Sequence, residues 1–404
     1  MTTQSLRPRT LPLWVSTLLP VVALGLMLAF FAFGDPLAAF QAHLPPIESL
    51  SVERVQVTAE GFELTVVNGG PDPVTVAQVM VDDAYWQFSI SPGATIPRLG
   101  RAEIHLGYPW VEAEPNIIRL VTSTGLTFDA EVPLAVETPT PGWNEFLRYG
   151  LVGIYVGIIP VALGLLWFPA MRRLGRKGLG AVLALTLGLL VFLLVDTLLE
   201  ALEIAGTLPG VFQGVALILF AALLTWLVLL AVTGRRSDGD KAPRGVFLAT
   251  MIALGIGLHN LGEGMAIGAA FALGEAALGS FLVLGFTLHN ITEGVGIAAP
   301  LTPGGRSGED IETPKLLTFV GLTLLAGAPA ILGAWIGGFA FNPILAAVFL
   351  GIGAGAIWQV IVEVGRLLGG YAKSDGTSVA TWANVGGFTL GLAIMYVTAL
   401  LVKF

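Results

Sequence analysis

The sequence predicts an α-helical integral membrane protein interrupted by one exported β-domain, and three observations predict it. Of 404 residues, 55% are hydrophobic and only 12% charged, with a mean hydropathy of +0.82, outside the range of soluble globular chains. Nine apolar stretches, each near the ~20 residues a bilayer-spanning helix needs, occupy about 11–33, 147–169, 179–203, 210–233, 245–272, 276–300, 315–341, 343–368 and 383–403. Between the first two lies a segment of different character, Val-rich and alternating. A soluble enzyme is excluded. The chain has no cysteine, so disulfides and thiolate metal sites are excluded too, and any bound metal meets nitrogen and oxygen ligands.

Taken in order, residues 1–34 form an N-terminal membrane anchor. Arg7 and Arg9 precede the apolar run as in a signal peptide, but the run is near spanning length and no small-residue cleavage site follows, so a retained helix is expected. Residues 45–137 read as an extracytoplasmic β-sandwich of roughly seven strands. Ser51 to Thr58, Phe62 to Val67 and Val74 to Val81 alternate, and Asn68 to Pro73 supply turn residues. From Asp35 to Glu145 there are 15 acidic and four basic residues, whereas the rest of the chain sums to +3. That acidic surface either concentrates cations near an entrance or simply keeps an exported domain soluble. Residues 138–146, with Pro139, Pro141 and Gly142, form the linker, and 147–404 an eight-helix membrane core.

Orientation follows from the basic residues. With the N-terminus cytoplasmic, the inner segments hold Arg7, Arg9, Arg172, Arg173, Arg176, Lys177, Arg235, Arg236, Lys241, Arg244, Arg306, Lys315, Arg366 and Lys373, 14 of the 20. Residues 34–146 and the C-terminus then face outward across a cell membrane. Trp143, Tyr149, Trp167 and Tyr371 read as interfacial anchors. The isolated His43 and His105 read as surface or strand residues. Glycines such as Gly351, Gly353 and Gly355 suit close helix packing. No basic footprint for nucleic acid occurs, a homodimer is left open, and the partner of the exported domain is not specified by the sequence.

Ionisable residues at mid-membrane cost several kcal/mol and are functional candidates by default. The fifth span reads HNLGEG, with His259, Asn260 and Glu263; the sixth reads HNITEG, with His289, Asn290 and Glu293, 30 residues later. Residues three and four apart share a helical face. Each helix thus presents an imidazole, an amide oxygen and a carboxylate on one arc. Two such helices face to face offer four to six ligands to a divalent cation, a set suited to zinc, iron(II), manganese or cobalt. The alternative for one copy is interhelical hydrogen bonding, but two copies, each adding a mid-membrane carboxylate, favour a cation. The short gap at Glu275 makes the two helices antiparallel, as in inverted repeats that hold a substrate at the midplane.

Elsewhere Asp196, Glu200 and Glu203 share a face toward the outer end of the third span, either as an outer collecting site or as carboxylates reaching interfacial water. Gln359 and Glu363 share a face of the eighth span, where Glu363 either belongs to a cation pathway or is neutralised by Arg366.

At these residues the chain resembles the ZIP (Zrt/Irt-like) family of divalent metal transporters, in particular its prokaryotic branch. The resemblance covers about 147–404. HNLGEG is its most specific match and HNITEG the second, with weaker matches at DTLLEALE (196–203), IWQVIVEV (357–364) and GGFTLGLAIM (386–395). It implies an eight-helix bundle with inverted symmetry. It further implies a transport site of His259, Glu263, His289 and Glu293, and an adjoining site of Asn260 and Asn290 sharing Glu293. The family's usual proline before the glutamate is replaced by Gly262 and Thr292, and a carboxylate common before a later proline is Ala328, before Pro329. A single metal site is therefore expected, and whether the motif helices kink is left open. The inner loop of about 234–244 lacks a histidine run. The function so implied is transport of a divalent transition metal, zinc first, toward the cytoplasm, with the metal as substrate and no cofactor. The rival readings are a non-transporting metal- or partner-binding receptor and an intramembrane metal-dependent hydrolase. The last is disfavoured because no HExxH motif and no extra general base occur.

Overall fold

The computed structural model describes residues 13–33, 46–140, 142–234, 244–272, 276–302 and 314–402. Arg7, Arg9, His43, Pro141, Arg235, Arg236, Lys241, Glu275, Arg306 and Lys403, on which parts of the sequence reading rest, lie outside the described residues. The chain divides into two units, Met1–Ile47 and Glu48–Phe404. In the first, Leu13–Phe33 is one α-helix (α1) of 21 residues containing Pro20, about 31 Å long and so the length of a hydrocarbon core.

The second unit begins with nine strands. Antiparallel pairing builds one sheet in the order β1 (Leu50–Thr58), β2 (Gly61–Asn68), β7 (Arg101–Leu106), β5 (Phe88–Ser91). A second runs β4 (Ala84–Trp86), β3 (Val74–Val81), β8 (Asn116–Thr122), β9 (Thr127–Val132), with β6 (Thr95–Ile96) also on β3. The sequence indicated roughly seven strands. The additional ones are short pieces between 84 and 96, too brief to show a period of their own. Alternation explains the layering: in β7, Ala102, Ile104 and Leu106 are buried while Arg101, Glu103 and His105 are exposed. Phe62, Leu64, Ile104, Ile118 and Leu120 fill the space between the sheets, each burial contributing roughly 1.5–3 kcal/mol. Asp82 and Asp83, both with φ near +60° (50° and 64°), close the β3–β4 hairpin, the geometry that matches strand twist. His105, exposed on β7 with Nδ1 3.3 Å from Glu63 Oε1, is a strand residue as expected.

Eight helices follow, each long and apolar enough to cross a membrane, so the chain is a multi-pass membrane protein. They are α2 (Trp143–Met171), α3 (Arg176–Thr207), α4 (Gly214–Gly234), α5 (Arg244–Ala272), α6 (Ala276–Ala298), α7 (Leu316–Ala340), α8 (Pro343–Ser374) and α9 (Trp382–Val402). The spans read from hydropathy coincide with these within a few residues. The larger differences are polar extensions: α3 begins at Arg176, whose guanidinium meets Ser374, the last residue of α8, and Asp375 just after it.

Two helices are not regular. α2 passes through a π-turn at Ile154–Ile158, just before Pro160, and α7 breaks at Ala328, where Gly327 ends one segment and Pro329 starts the next. Proline lacks the N–H that would bond one turn back, so each break leaves backbone carbonyls to be matched from elsewhere. α5 packs along α7 and α2 along α6, while α3 lies on α9 and α4 on α8; α5 also packs on α6, and α8 against α3 and α5. Trp143 and Trp167 are exposed as expected of anchors, but Tyr149 is only 5% exposed. Its ring occupies the space a Cβ on Gly338 would need and meets Phe339 edge-on, so it packs α2 onto α7 instead of marking an interface. At the same end of the bundle, Gly69 in the β2–β3 turn lies against Pro209 before α4, seating the β-domain on the helices.

Candidate metal centre

α5 and α6 are unbroken through both HNxxEG segments. The residues Gly262 and Thr292 therefore cause no kink; Thr292 Oγ1 turns back to the His289 carbonyl at 2.6 Å. Regular helix places His259 and Glu263 one turn apart, and the Nε2–H of His259 donates to Glu263 Oε1 at 3.0 Å. From α6, His289 Nε2 donates to the same oxygen at 2.5 Å, and Asn290 Nδ2 donates to Glu263 Oε2 at 3.3 Å. Glu263 is thus the hub that joins the two helices. His259, Asn260, Glu263, His289, Asn290 and Glu293 are all buried, none more than 5% exposed.

Glu293 is placed differently. Neither of its buried carboxylate oxygens has a partner at hydrogen-bond geometry, although the Asn260 amide lies close enough to act toward it as a donor. The Asn260 hydrogen bond goes instead to the Ala326 carbonyl at 3.0 Å. Among the described residues, His259, His289 and Glu293 form the group able to hold a metal, with one ligand atom of each within 4.8 Å of the others. Ligand atoms about 2.1 Å from a tetrahedral metal lie roughly 3.4 Å apart, so modest side-chain rotation brings the three into range. Glu263, which the sequence places among the ligands, touches two of them but is not in that group.

The asparagines reveal what the motif alone does not. Asn260 donates to Ala326, at the α7 break, and Asn290 Nδ2 donates to the Val156 carbonyl at 3.1 Å, four residues before Pro160 in the α2 π-turn. Each amide thereby reaches a backbone carbonyl beside an irregularity in the facing helix, and the Val156 carbonyl is the one that Pro160 leaves without its regular donor. The Oδ1 of each asparagine stays buried without a hydrogen bond. The glycines ending the motifs complete the arrangement. A Cβ on Gly264 would lie 2.2 Å from the Ala330 carbonyl of α7, and one on Gly294 2.3 Å from the Val161 carbonyl of α2. Only glycine lets the helices approach this closely. Pro160 and Pro329, prolines inside apolar spans, were the sequence signal for these breaks.

A cavity of about 50 Å³ opens beside the cluster, lined by His259, Glu263 and His289 and, from α3, by Asp196, Thr197 and Glu200. A water occupies ~10–15 Å³ on such a measure, so there is room for a partly hydrated ion. The structure therefore brings Asp196 and Glu200 to the cluster, while Glu203 is exposed and does not line the cavity. Gln359 and Glu363 stand apart from it. Glu363 Oε1 accepts from Gln359 Nε2 at 2.9 Å and from Arg366 Nη1 at 2.9 Å, so its charge is neutralised on its own helix.

Fold and site together define a multi-pass membrane protein with a buried His/Glu cluster capable of holding a metal. No protein-family model matches the chain, and no curated protein matches it significantly.

Proposed function

We propose that the chain is a ZIP-type transporter that carries a divalent transition metal, zinc first and iron(II) or manganese next, toward the cytoplasm, with the metal as substrate and no cofactor. The observation that carries this reading is the Glu293 carboxylate, buried and unmatched beside two imidazoles. A lone anion there is costly, and a cation bound by His259, His289 and Glu293 removes the cost. Glu263 orients both imidazoles, and the free Oδ1 atoms of Asn260 and Asn290 lie ready to complete the shell or to share Glu293 with a second ion. Zinc fits an imidazole and carboxylate set.

An inverted repeat is supported by how the helices pair. α5 packs on broken α7 as α6 packs on broken α2, and each motif asparagine latches the break facing it. The helices also sort into two groups. α2, α5, α6 and α7 hold the cluster, and α3, α4, α8 and α9 pack mainly on one another. The cavity lies between the groups, with α3 residues on one side and the histidines on the other. Movement of one group against the other would open the cluster to alternate sides, which is alternating access about a midplane site. The basic residues place the N-terminus in the cytoplasm and the β-domain outside.

The test is metal entry into proteoliposomes loaded with a zinc-sensitive dye, across zinc, iron(II), manganese and cadmium, comparing the unaltered protein with Glu263→Ala and His259→Ala. Flux abolished in both folded variants is expected. Unchanged flux in both refutes the site, and binding without flux in the unaltered protein favours a receptor.

A further inference from the structure

A second cavity, of about 450 Å³, lies where the β-domain meets the bundle, and the metal site does not account for it. Its walls are strands β1 (Leu50 to Val57) and β9 (Phe128 to Val132), and Thr207 and Phe341 border it from the helices. β1 is hydrogen-bonded to β2 alone and β9 to β8 alone, so each turns a row of backbone donors and acceptors away from its own sheet. At Val57 that row is covered: its N–H donates to Thr138 Oγ1 at 2.9 Å, and its carbonyl accepts from the Thr138 N–H at 2.8 Å. Further along, the register of β1 shifts between Val52 and Arg54, a bulge that bends the edge.

Four charged residues line the cavity. Glu53 accepts from Arg101 at 3.1 Å, and Asp129 from Arg119 at 2.8 and 3.0 Å, so both are matched within the domain. The side chains of Arg54 and Glu131 make no ion pair or hydrogen bond among the described residues. Burial lowers the Arg54 guanidinium from its ordinary value, but an arginine keeps its charge. One wall thus offers an unmatched cation and the other an unmatched anion. A multiply charged anion is disfavoured by the three carboxylates. A zwitterion is not.

We propose that this cavity binds a short extended peptide, its main chain along the bulged β1 edge, its terminal carboxylate on Arg54 and an amino or basic group on Glu131. The volume lies within the ~300–1,000 Å³ of ligand pockets, and strand addition with carboxylate capture is an established mode of peptide recognition. Thr207 is seven residues beyond Glu200 on α3, so a bound peptide sits over the helix that lines the metal cavity. The proposal does not depend on the metal reading.

The test is calorimetric titration of the full-length protein in nanodiscs with the tetrapeptide Lys-Thr-Val-Val as free acid, as its C-terminal amide, and with the lysine replaced by alanine and the N-terminus acetylated. Main-chain pairing makes affinity tolerant of the interior residues. Saturable binding of the free acid is expected, roughly tenfold weakened by amidation, as loss of a charge-assisted contact predicts. Arg54→Gln should lose the same factor and no longer distinguish acid from amide. Glu131→Gln should weaken the lysine peptide alone. No saturation by the free acid up to about 1 mM, or equal affinity of acid and amide, overturns the proposal. Should Arg54→Gln fail to fold, the acid and amide comparison on the unaltered protein decides alone.

Discussion

Asn290→Ala tests whether the motif asparagines latch the broken helices. The amide donates to Val156 and to Glu263, and removing it leaves the buried Val156 carbonyl without this donor beside the π-turn. Leaving a buried acceptor unmatched costs about 1–3 kcal/mol, and loss of the second, longer bond adds roughly 1 kcal/mol. Asn260→Ala loses one such bond, to Ala326, so its cost is the smaller, about 1–3 kcal/mol. The damage should also be local and crossed. Hydrogen exchange followed by mass spectrometry should speed up in peptides spanning the α2 π-turn for Asn290→Ala and in peptides spanning the α7 break for Asn260→Ala, with the other helix unchanged. Global stability measured by denaturant unfolding in bicelles should fall in the same order. Exchange rising in the wrong helix, or both variants matching the unaltered protein, would refute the latch.

Other outcomes follow from the same geometry. Gly264→Ala places a methyl 2.2 Å from the Ala330 carbonyl, and Gly294→Ala one at 2.3 Å from Val161, whereas on Gly262 the nearest atom, Leu350 Cδ2, is 3.5 Å away. The first two should cost at least the ~1–3 kcal/mol of overpacking and weaken zinc binding by calorimetry, while Gly262→Ala should be neutral; equal effects at all three would remove the close-approach argument. Glu363→Gln should leave dye-reported metal flux near normal, because Arg366 is 61% exposed and such pairs are worth ~0–1 kcal/mol; a large loss of flux restores a pathway role. In the β-domain, Arg119 donating to Asp129 holds that carboxylate below its usual range. Asp129 therefore contributes stability above an unfolded pKa of ~3.9, lost as pH falls through its lower folded value. Arg119→Gln should flatten this acid dependence, read as pepsin susceptibility, and an unchanged profile would show that the pair carries none of it.

Much of the fold is written in periodicity. The β3 strand was read at Val74 to Val81 and stands there, and the spans emerge from apolar length alone, because lipid forces the backbone to satisfy itself within each segment. The six motif residues were found because ionisable groups are rare at mid-membrane. What was not legible depends on neighbours. Tyr149 looks like an anchor until Gly338 on another helix is seen to receive it, and Glu203 shares a face with Asp196 and Glu200 but lies beyond the cavity. The division of labour between Glu263, which hydrogen-bonds both histidines, and Glu293, which is left unmatched, follows from how α5 and α6 meet, and identical spacing in the two motifs conceals it. The β1 and β9 edges became a cavity only through the sandwich topology and its seat on the helices.

The repeated hexad can be read letter by letter, and that explains its tolerance. The histidine presents a ring nitrogen to the buried cluster, and the asparagine holds the break in the facing helix. The glutamate is hub on α5 and an unmatched buried carboxylate on α6, and the terminal glycine admits the facing backbone. The two positions between asparagine and glutamate carry none of these tasks, which is why Leu261 and Gly262 in one copy can be Ile291 and Thr292 in the other. A proline within the motif helix would itself favour a kink there. Here the irregularity resides in α2 and α7, at Pro160 and Pro329, while α5 and α6 run as unbroken α-helices through both motifs. Unbroken motif helices packed against broken partners put the irregular backbone beside the cluster and keep it out of the cluster, so the His and Glu positions stay set by regular helical geometry of about 3.6 residues per turn.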